Sequence, residues 1–463
     1  MSPTGLRRLA AGKTQTARVD YGASCDSNRG NENIQEREPI MRLASTILIW
    51  VVSLQPLAVW AGGESVELKI SRSSIAESRP QWLWLQARTA YVQGEGNMSM
   101  TTMSQTWNDK THDYRDVYQT ISRDGGTTWS PPIAIPSLRL KTTSDGYEVA
   151  PADLWSKWHA SSRTILTTGV TFHFSGGASE HHLKQQVGYA VMDPETATWS
   201  PLQVLELPEQ DHQNQRILAA SAGCSQRVDL ANGDILLPLR YFPGGSLSGN
   251  ETFDYSDPKI VYKTIVARCG FDGRRLKYKE HGTELTLSKS HSHKLAKRRG
   301  VPVSGRGLYE PSLQKFEDKY YMTMRSDHSA FVAKSTDGIH FGPVREWTFD
   351  DGQWLGNYCT QQHWATIGGG LFLVYTRTGA NNDHVFRHRA PLFIAQGDPD
   401  RLHVIRATER VVFPENHAAL GNFGICPVSE SESWVTVGES IEISKRKGEK
   451  NYVLLAKIRS TND

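Results

Sequence analysis

The sequence predicts an all-β fold, a six-bladed β-propeller of four-stranded antiparallel blades. Three observations predict it. From Ser65 onward there are short β-rich runs with almost no helical periodicity, one turn motif recurs along the chain, and the apolar content suffices for a large core. The chain has 463 residues, 38% hydrophobic and 9% aromatic, which excludes disordered and collagen-like classes. With 52 Lys+Arg against 49 Asp+Glu the formal charge is +3, too balanced for a dedicated nucleic-acid binder.

The N-terminus sets the expected compartment. Residues 43–61 (LASTILIWVVSLQPLAVWA) carry no charge, follow Arg42 and end in small residues, the pattern of a signal peptide. Met41 is read as the start, with 1–40 a mis-called or disordered leader, 41–61 the signal and 62–463 one propeller domain. A membrane anchor over 43–61 is the alternative. Export is therefore expected, with no stable membrane association. Cys224, Cys269, Cys359 and Cys426 show no metal-type spacing and are read as buried free thiols.

Strand candidates follow in order. Segments 235–239 (ILLPL), 319–325 (KYYMTMR), 371–376 (LFLVYT), 434–437 (WVTV) and 452–458 (YVLLAKI) include many positions apolar on both faces, as in sheets covered on both sides. The turn motif S-x-D-x-G-x-x-W, an Asp box, occurs at Ser122, Asp124, Gly126 and Trp129. A near copy runs from Ser335 to Phe341, and degenerate ones lie at 193–199, 271–278 and 397–404. In such a turn Asp and Ser hydrogen-bond the local backbone, Gly supplies positive φ and the aromatic packs on the sheet. A spacing of roughly 60 to 80 residues suits a four-stranded blade. The basic stretch 288–306, with His291 and His293, is read as a solvated loop between blades rather than an anion patch or a metal site.

With these turns the chain resembles the sialidase (neuraminidase) superfamily of six-bladed propellers, over most of residues 80–440. The resemblance implies three arginines that converge on a substrate carboxylate, a task suited to the planar guanidinium fork. Arg88 takes the place of the first. Glu310 and Arg325, in GLYEPSLQKFEDKYYMTMRSD, look like the family's Glu and the second arginine that follows it. Arg389 resembles the third, with Arg387 and Arg377 as rivals. The family's general acid precedes the first Asp box; Asp109, Asp113 and Asp116 lie there, and Asp113 is preferred. The family's Tyr nucleophile has no counterpart, because Asn422 and Phe423 stand in its place; Tyr309, Tyr358 and Tyr375 are candidates from other strands.

Three polar and aromatic stretches could contact sugar: 357–364, 377–389, and 145–148 with Trp155, Trp158 and His159. From them His363, Asp383 and Arg377 are taken as substrate-binding candidates. The expected function is an exported glycoside hydrolase acting on an anionic sugar, with Asp113 as acid and Glu310 as base, or as activator of a nucleophile. Direct water attack, with inversion, is expected if no Tyr serves. The alternatives are a polysaccharide lyase using His363, Tyr358 and Arg377, or a non-catalytic glycan-binding propeller. No cofactor or metal is expected; the partner is an acidic carbohydrate, not nucleic acid, and the chain is expected to be a monomer. Dinucleotide, P-loop, zincin and nucleophile-elbow motifs are missing from the sequence.

Overall fold

The computed structural model describes residues 65–78, 82–94, 97–107, 114–144, 146–174, 185–244, 261–299, 305–440 and 450–461. The signal-like segment 41–61, the preferred acid Asp113 and its neighbour Asp109 lie outside them. Six antiparallel sheets follow one another in sequence as the blades of a propeller.

Blade 1 is Trp82–Tyr91, Ser99–Trp107, Tyr114–Ser122 and Ile133–Ala134. Blade 2 centres on Glu148–His159, Thr164–Phe174, Gln185–Asp193 and Thr198–Trp199. Blade 3 runs Arg216–Ser221, Ile235–Gly244, Lys263–Phe271 and Leu276–His281, and blade 4 Tyr309–Phe316, Lys319–Arg325, Ala330–Ser335 and Arg345–Glu346. Blade 5 is His363–Ile367, Gly370–Tyr375, Leu392–Asp398 and His403–Val404. Blade 6 takes Phe423–Pro427, Glu432–Gly438 and Tyr452–Ser460 from the end of the chain. Its outer strand, Leu68–Glu77, comes from the beginning, with Leu68 opposite Ser460. The ring is thus closed by hydrogen bonds between the two ends of the domain.

The double-faced apolar strands have a simple cause: each gap between blades holds its own apolar layer. Leu166, Val187, Leu237 and Ile265 fill the gap between blades 2 and 3. Leu236, Val266, Met322 and Phe331 fill that between 3 and 4, and Ile367, Val374, Ile425 and Val435 that between 5 and 6. Every layer draws on both neighbours, so no blade has a core of its own. At about 1.5–3 kcal/mol per fully buried aliphatic side chain, these layers are the main cohesive term.

The five marker turns all fall between the third and fourth strands of blades 1 to 5. Ser122 Oγ accepts from Gly126 N at 2.8 Å, and Asp124 Oδ1 accepts from Thr127 N and Thr128 N at 3.0 and 2.9 Å. The Ser335–Asp337 turn repeats this through Gly338, Ile339 and His340. Each turn leans on the preceding blade. Gly126 abuts Trp434 of blade 6, Trp199 donates to Gln119 of blade 1 at 2.7 Å, Gly273 abuts Ser162 of blade 2, and Gly338 abuts Leu236 of blade 3. Blade 6 has no such turn, because its fourth strand comes from the other end of the domain.

One expectation is corrected. The basic stretch is not simply a solvated loop: Lys289–Arg299 is an α-helix. Leu295 and Ala296 are buried, Arg298 and Arg299 both pair with Glu346, and Arg299 lies 3.5 Å from the Trp354 ring centroid. Two adjacent apolar residues among nine polar ones leave no helical period to read.

Backbone contact at the closure gives a test. A Cβ on Gly438 would stand 1.9 Å from the Trp84 carbonyl oxygen, whereas one on Gly342 would find only the Lys334 oxygen at 3.7 Å. Gly438→Ala is expected to lose about 1–3 kcal/mol in chemical denaturation. Gly342→Ala should match the parent, and equal effects would refute this account of closure.

Candidate active site

Four of the six innermost strands share one irregularity. Gln86, Asp153, Ala219 and Glu310 all have positive φ, at 54°, 52°, 45° and 46°, although none is glycine. Each lies at a register shift, between Leu85 and Arg88, Ala152 and Trp155, Leu218 and Ser221, and Tyr309 and Ser312. These are β-bulges, which re-aim side chains and recur beside functional sites.

Two residues beyond the bulges, side chains fill the centre of the wheel. The Arg88 guanidinium is 5.0 Å from the Trp155 ring centroid; Trp155 meets His363 edge-on at 4.6 Å, and His363 meets Phe423 at 4.9 Å. Ser312 Oγ lies 2.6 Å from His363 Nδ1, and Gln361 Oε1 lies 2.7 Å from Nε2. Arg88 also donates to Gln361 Oε1, so that oxygen accepts, Nε2 carries the proton and Nδ1 accepts from Ser312. Burial, with the Arg88 charge beside it, pushes His363 well below its ordinary value and keeps it neutral. Both of its nitrogens are occupied, and His363 is a structural plug.

Arg88 belongs to that plug. It is 1% exposed and donates to Gln86 Oε1 at 2.7 Å, Gln361 Oε1 at 2.8 Å and the Asn422 carbonyl at 3.1 Å. Asn422 Oδ1 accepts from Gln361, so the two residues standing where a Tyr nucleophile was sought both serve the plug.

The bulge residues contribute the other groups. Glu310 accepts Arg325 Nη1 on both oxygens at 2.7 Å; the facing guanidinium charge holds it below the usual carboxylate range against the effect of burial. Asp153 Oδ1 accepts from Gln86 Nε2 at 2.8 Å and Tyr114 Oη at 2.6 Å. Burial, then the Glu310 charge, pushes Asp153 up, so the two carboxyl groups are biased in opposite directions. Arg240 influences both, stacks 4.2 Å from the Tyr262 ring centroid and donates to Gln185.

Arg389 completes the cluster. Its Nε donates to Thr360 Oγ1 at 3.2 Å and its Nη2 to the Cys359 carbonyl at 3.0 Å, while Arg325 Nη2 meets the Cys359 sulfur at 3.5 Å. Among the described residues no carboxylate pairs with Arg389, which is 7% exposed. Burial, with Arg387 and Arg325 nearby, pulls its guanidinium down to about 10.

The other candidates are committed elsewhere. Arg377 forms an ion pair with Glu409, which also accepts from Tyr375. Tyr309 donates to Asp327, itself paired with Arg306. Asp383 is exposed and contacts His388 Nε2 at 3.2 Å, while Tyr358 Oη meets Nδ1 of the same ring at 2.7 Å. Asp116 faces Arg139 at 3.6 Å. His159 bonds Ser162 and the Gly233 carbonyl. Cys224, Cys269, Cys359 and Cys426 are buried and form no disulfide with one another.

The sequence reading passed over Asp153, Tyr114 and Arg240. The available clue was an acid inside an otherwise apolar inner strand (EVAPADLW), placed as Glu310 is in YEPSL. Among the described residues one group, His212, His281 and Glu284, has metal-ligand chemistry. Its imidazoles stack in parallel at 4.0 Å and Lys263 already holds Glu284, so their lone pairs do not converge.

No protein-family model matches the chain, and a search of curated proteins finds no match. Solved structures do match. Trypanosoma rangeli sialidase in complex with sialic acid superposes with a TM-score of 0.55 at 12% identity, over 85% of this chain and 59% of that one. The fold is that of the sialidases. The Hadza microbial sialidase Hz136 gives 0.53 at 11% identity, over 82% of this chain and 66% of that one. A Dyadobacter fermentans protein of unknown function gives 0.52 at 13%, over 85% and 99%. This chain spans little more than half of the trypanosomal sialidase, 55% in one structure.

Arg88 and Arg389, both well buried, should respond oppositely to removal of charge. Arg88→Met strands several buried acceptors and should lose roughly 2–3 kcal/mol of unfolding free energy. Arg389→Met removes an uncompensated buried charge and should be neutral or stabilising. A large loss for Arg389→Met in urea titrations would contradict this assignment.

Proposed function

We propose that the protein is a glycoside hydrolase acting on a carboxylate-bearing sugar. The observation that carries this reading is Arg389, a buried guanidinium without a carboxylate partner among the described residues, near Glu310, whose bias is opposite to that of Asp153. Arg389 would receive the substrate carboxylate. Arg325 lies close by, but Glu310 occupies its Nη1, so its role is mainly to keep Glu310 ionised.

Asp153 replaces Asp113 as our choice of proton donor. Its raised pKa keeps the proton available to the leaving oxygen, and the Tyr114 and Gln86 bonds fix its orientation. Glu310 then acts as base on a water molecule, and the anomeric centre inverts. The elimination alternative is weakened by the sealed His363 and the committed Arg377. We further propose export through 41–61 and a monomeric propeller over 62–463. No described helix is long and apolar enough to cross a membrane.

Glu310→Gln should lower kcat on an acidic glycoside by about 10²–10⁴-fold. Asp153→Asn should do so for a sugar leaving group but recover most of the rate with nitrophenolate, which departs without a proton. Equal impairment with both leaving groups would remove Asp153 from the acid role. Sugar binding that persists in both variants, with no turnover by the parent, would select a glycan-binding propeller.

The pH profile should be bell-shaped. Activity falls on the acid side as Glu310 is protonated and on the alkaline side as Asp153 ionises. Tyr114 stabilises the ionised Asp153, so Tyr114→Phe should move the alkaline limb to higher pH. A limb that stays in place or moves down would contradict the pairing.

A further inference from the structure

The charge balance at the site is not closed by one substrate carboxylate. Arg240, Arg325 and Arg389 act on or beside Glu310, and Arg387 acts on Arg389. Glu310 is the ionised carboxylate among them, while Asp153 is biased towards its neutral form. Asp327 is paired with Arg306, and Asp383, its side chain 85% exposed, contacts His388 out in the solvent. A ligand with a single carboxylate therefore leaves excess positive charge in a poorly solvated place, which is unfavourable.

Arg387 is the group left over. It lies two residues before Arg389 on a turn in which Arg387 and His388 both have positive φ, at 53° and 51°. Consecutive non-glycine residues in this region are strained, and such strain persists where surrounding contacts hold it. Here the contacts are the Tyr358–His388 bond and the two bonds from Arg389 to segment 359–360. The Arg387 Nε atom is buried without a hydrogen-bond partner, and its guanidinium rests 4.7 Å from the Phe386 ring centroid. Its charge repels that of Arg389, and among the described residues no acid forms an ion pair with it.

We propose that the site takes a sugar carrying two anionic groups, a carboxylate on Arg389 and a second carboxylate or a sulfate on Arg387. The proposal rests on the acidic-sugar reading above and narrows its substrate class. It also explains why the turn holds two guanidinium groups close together although they repel each other.

Calorimetric titration tests it with three probes: galacturonate with one carboxylate, digalacturonate with two, and galacturonate 2-sulfate with one carboxylate and one sulfate. At least one dianion should bind about tenfold or more tightly than galacturonate, the size expected for one added charge-assisted contact. Which dianion gains identifies the second group. Arg387→Gln should abolish the gain while changing galacturonate binding by less than about threefold, and Arg387→Lys should retain part of it. The Lys variant keeps the comparison usable should Arg387→Gln fold poorly. Equal affinity for all three probes, equal weakening of all three by Arg387→Gln, or no binding at all would overturn the proposal. Binding is read without turnover, so a dianion preference in a protein that hydrolyses nothing would remove only the hydrolase reading.

Discussion

Six strands meeting around one axis leave room for few side chains, and this crowding governs the centre of the molecule. In four blades the innermost strand meets it with a bulge. One residue enters the left-handed region, and the residue two positions later contributes to the centre. The bulge thereby separates two tasks that a regular strand would confuse through its alternating faces. Arg88 and Trp155 fill space, whereas Asp153 and Glu310 are the acid and base of the mechanism proposed above. Each left-handed residue costs on the order of 1–3 kcal/mol, and the cohesion of the inter-blade layers must offset it.

Blade 6 supplies the complement to this crowding through missing side chains. A Cβ on Gly424 would stand 2.3 Å from Arg88 Cδ, and one on Gly421 would stand 2.6 Å from Arg389 Cδ. The two arginines lie along the same stretch of backbone, yet their chemistry differs. The two terminal nitrogens of Arg88 donate to amide and carbonyl oxygens, which bind a guanidinium without neutralising it. Arg389 has fewer such acceptors and two like charges nearby. Proximity to a site does not make an arginine available; its unused hydrogen-bonding capacity does.

The architecture was legible because it is repetitive. Short strands and five turns at a common spacing define blades even when most copies are degenerate, since each turn has the same task of joining a third strand to a fourth and resting on the blade before. Glu310 and Arg325 were picked out together through the family resemblance, and the structure joins them as an ion pair. Asp153 was not, because nothing local distinguishes an acid at a bulge from one at a strand edge; its meaning comes from Tyr114, on another blade. His363 misled for the converse reason: a polar, aromatic neighbourhood in sequence became a sealed hydrogen-bonded plug once Ser312 and Gln361 were brought to it. The helix at 289–299 is held by contacts with Glu346 and Trp354 that no pattern within the segment encodes.

The replacement of a tyrosine by Asn422 and Phe423 acquires a physical meaning in this setting. Phe423 packs against His363 in the plug, and Asn422 supplies its carbonyl to Arg88 and its side-chain oxygen to Gln361. Exchanging Asn422 would remove its side-chain bond to Gln361, the residue that accepts from Arg88 and bonds His363, and exchanging Phe423 would alter the packing on His363. In the mechanism proposed above, the chemistry falls to the carboxyl groups at the bulges, Asp153 from blade 2 and Glu310 from blade 4. Their opposite biases have local causes, burial beside a like charge for one and a guanidinium nitrogen shared by both carboxylate oxygens for the other. A pair tuned in this way can donate a proton and accept one at the same pH, and no nucleophile from blade 6 is needed.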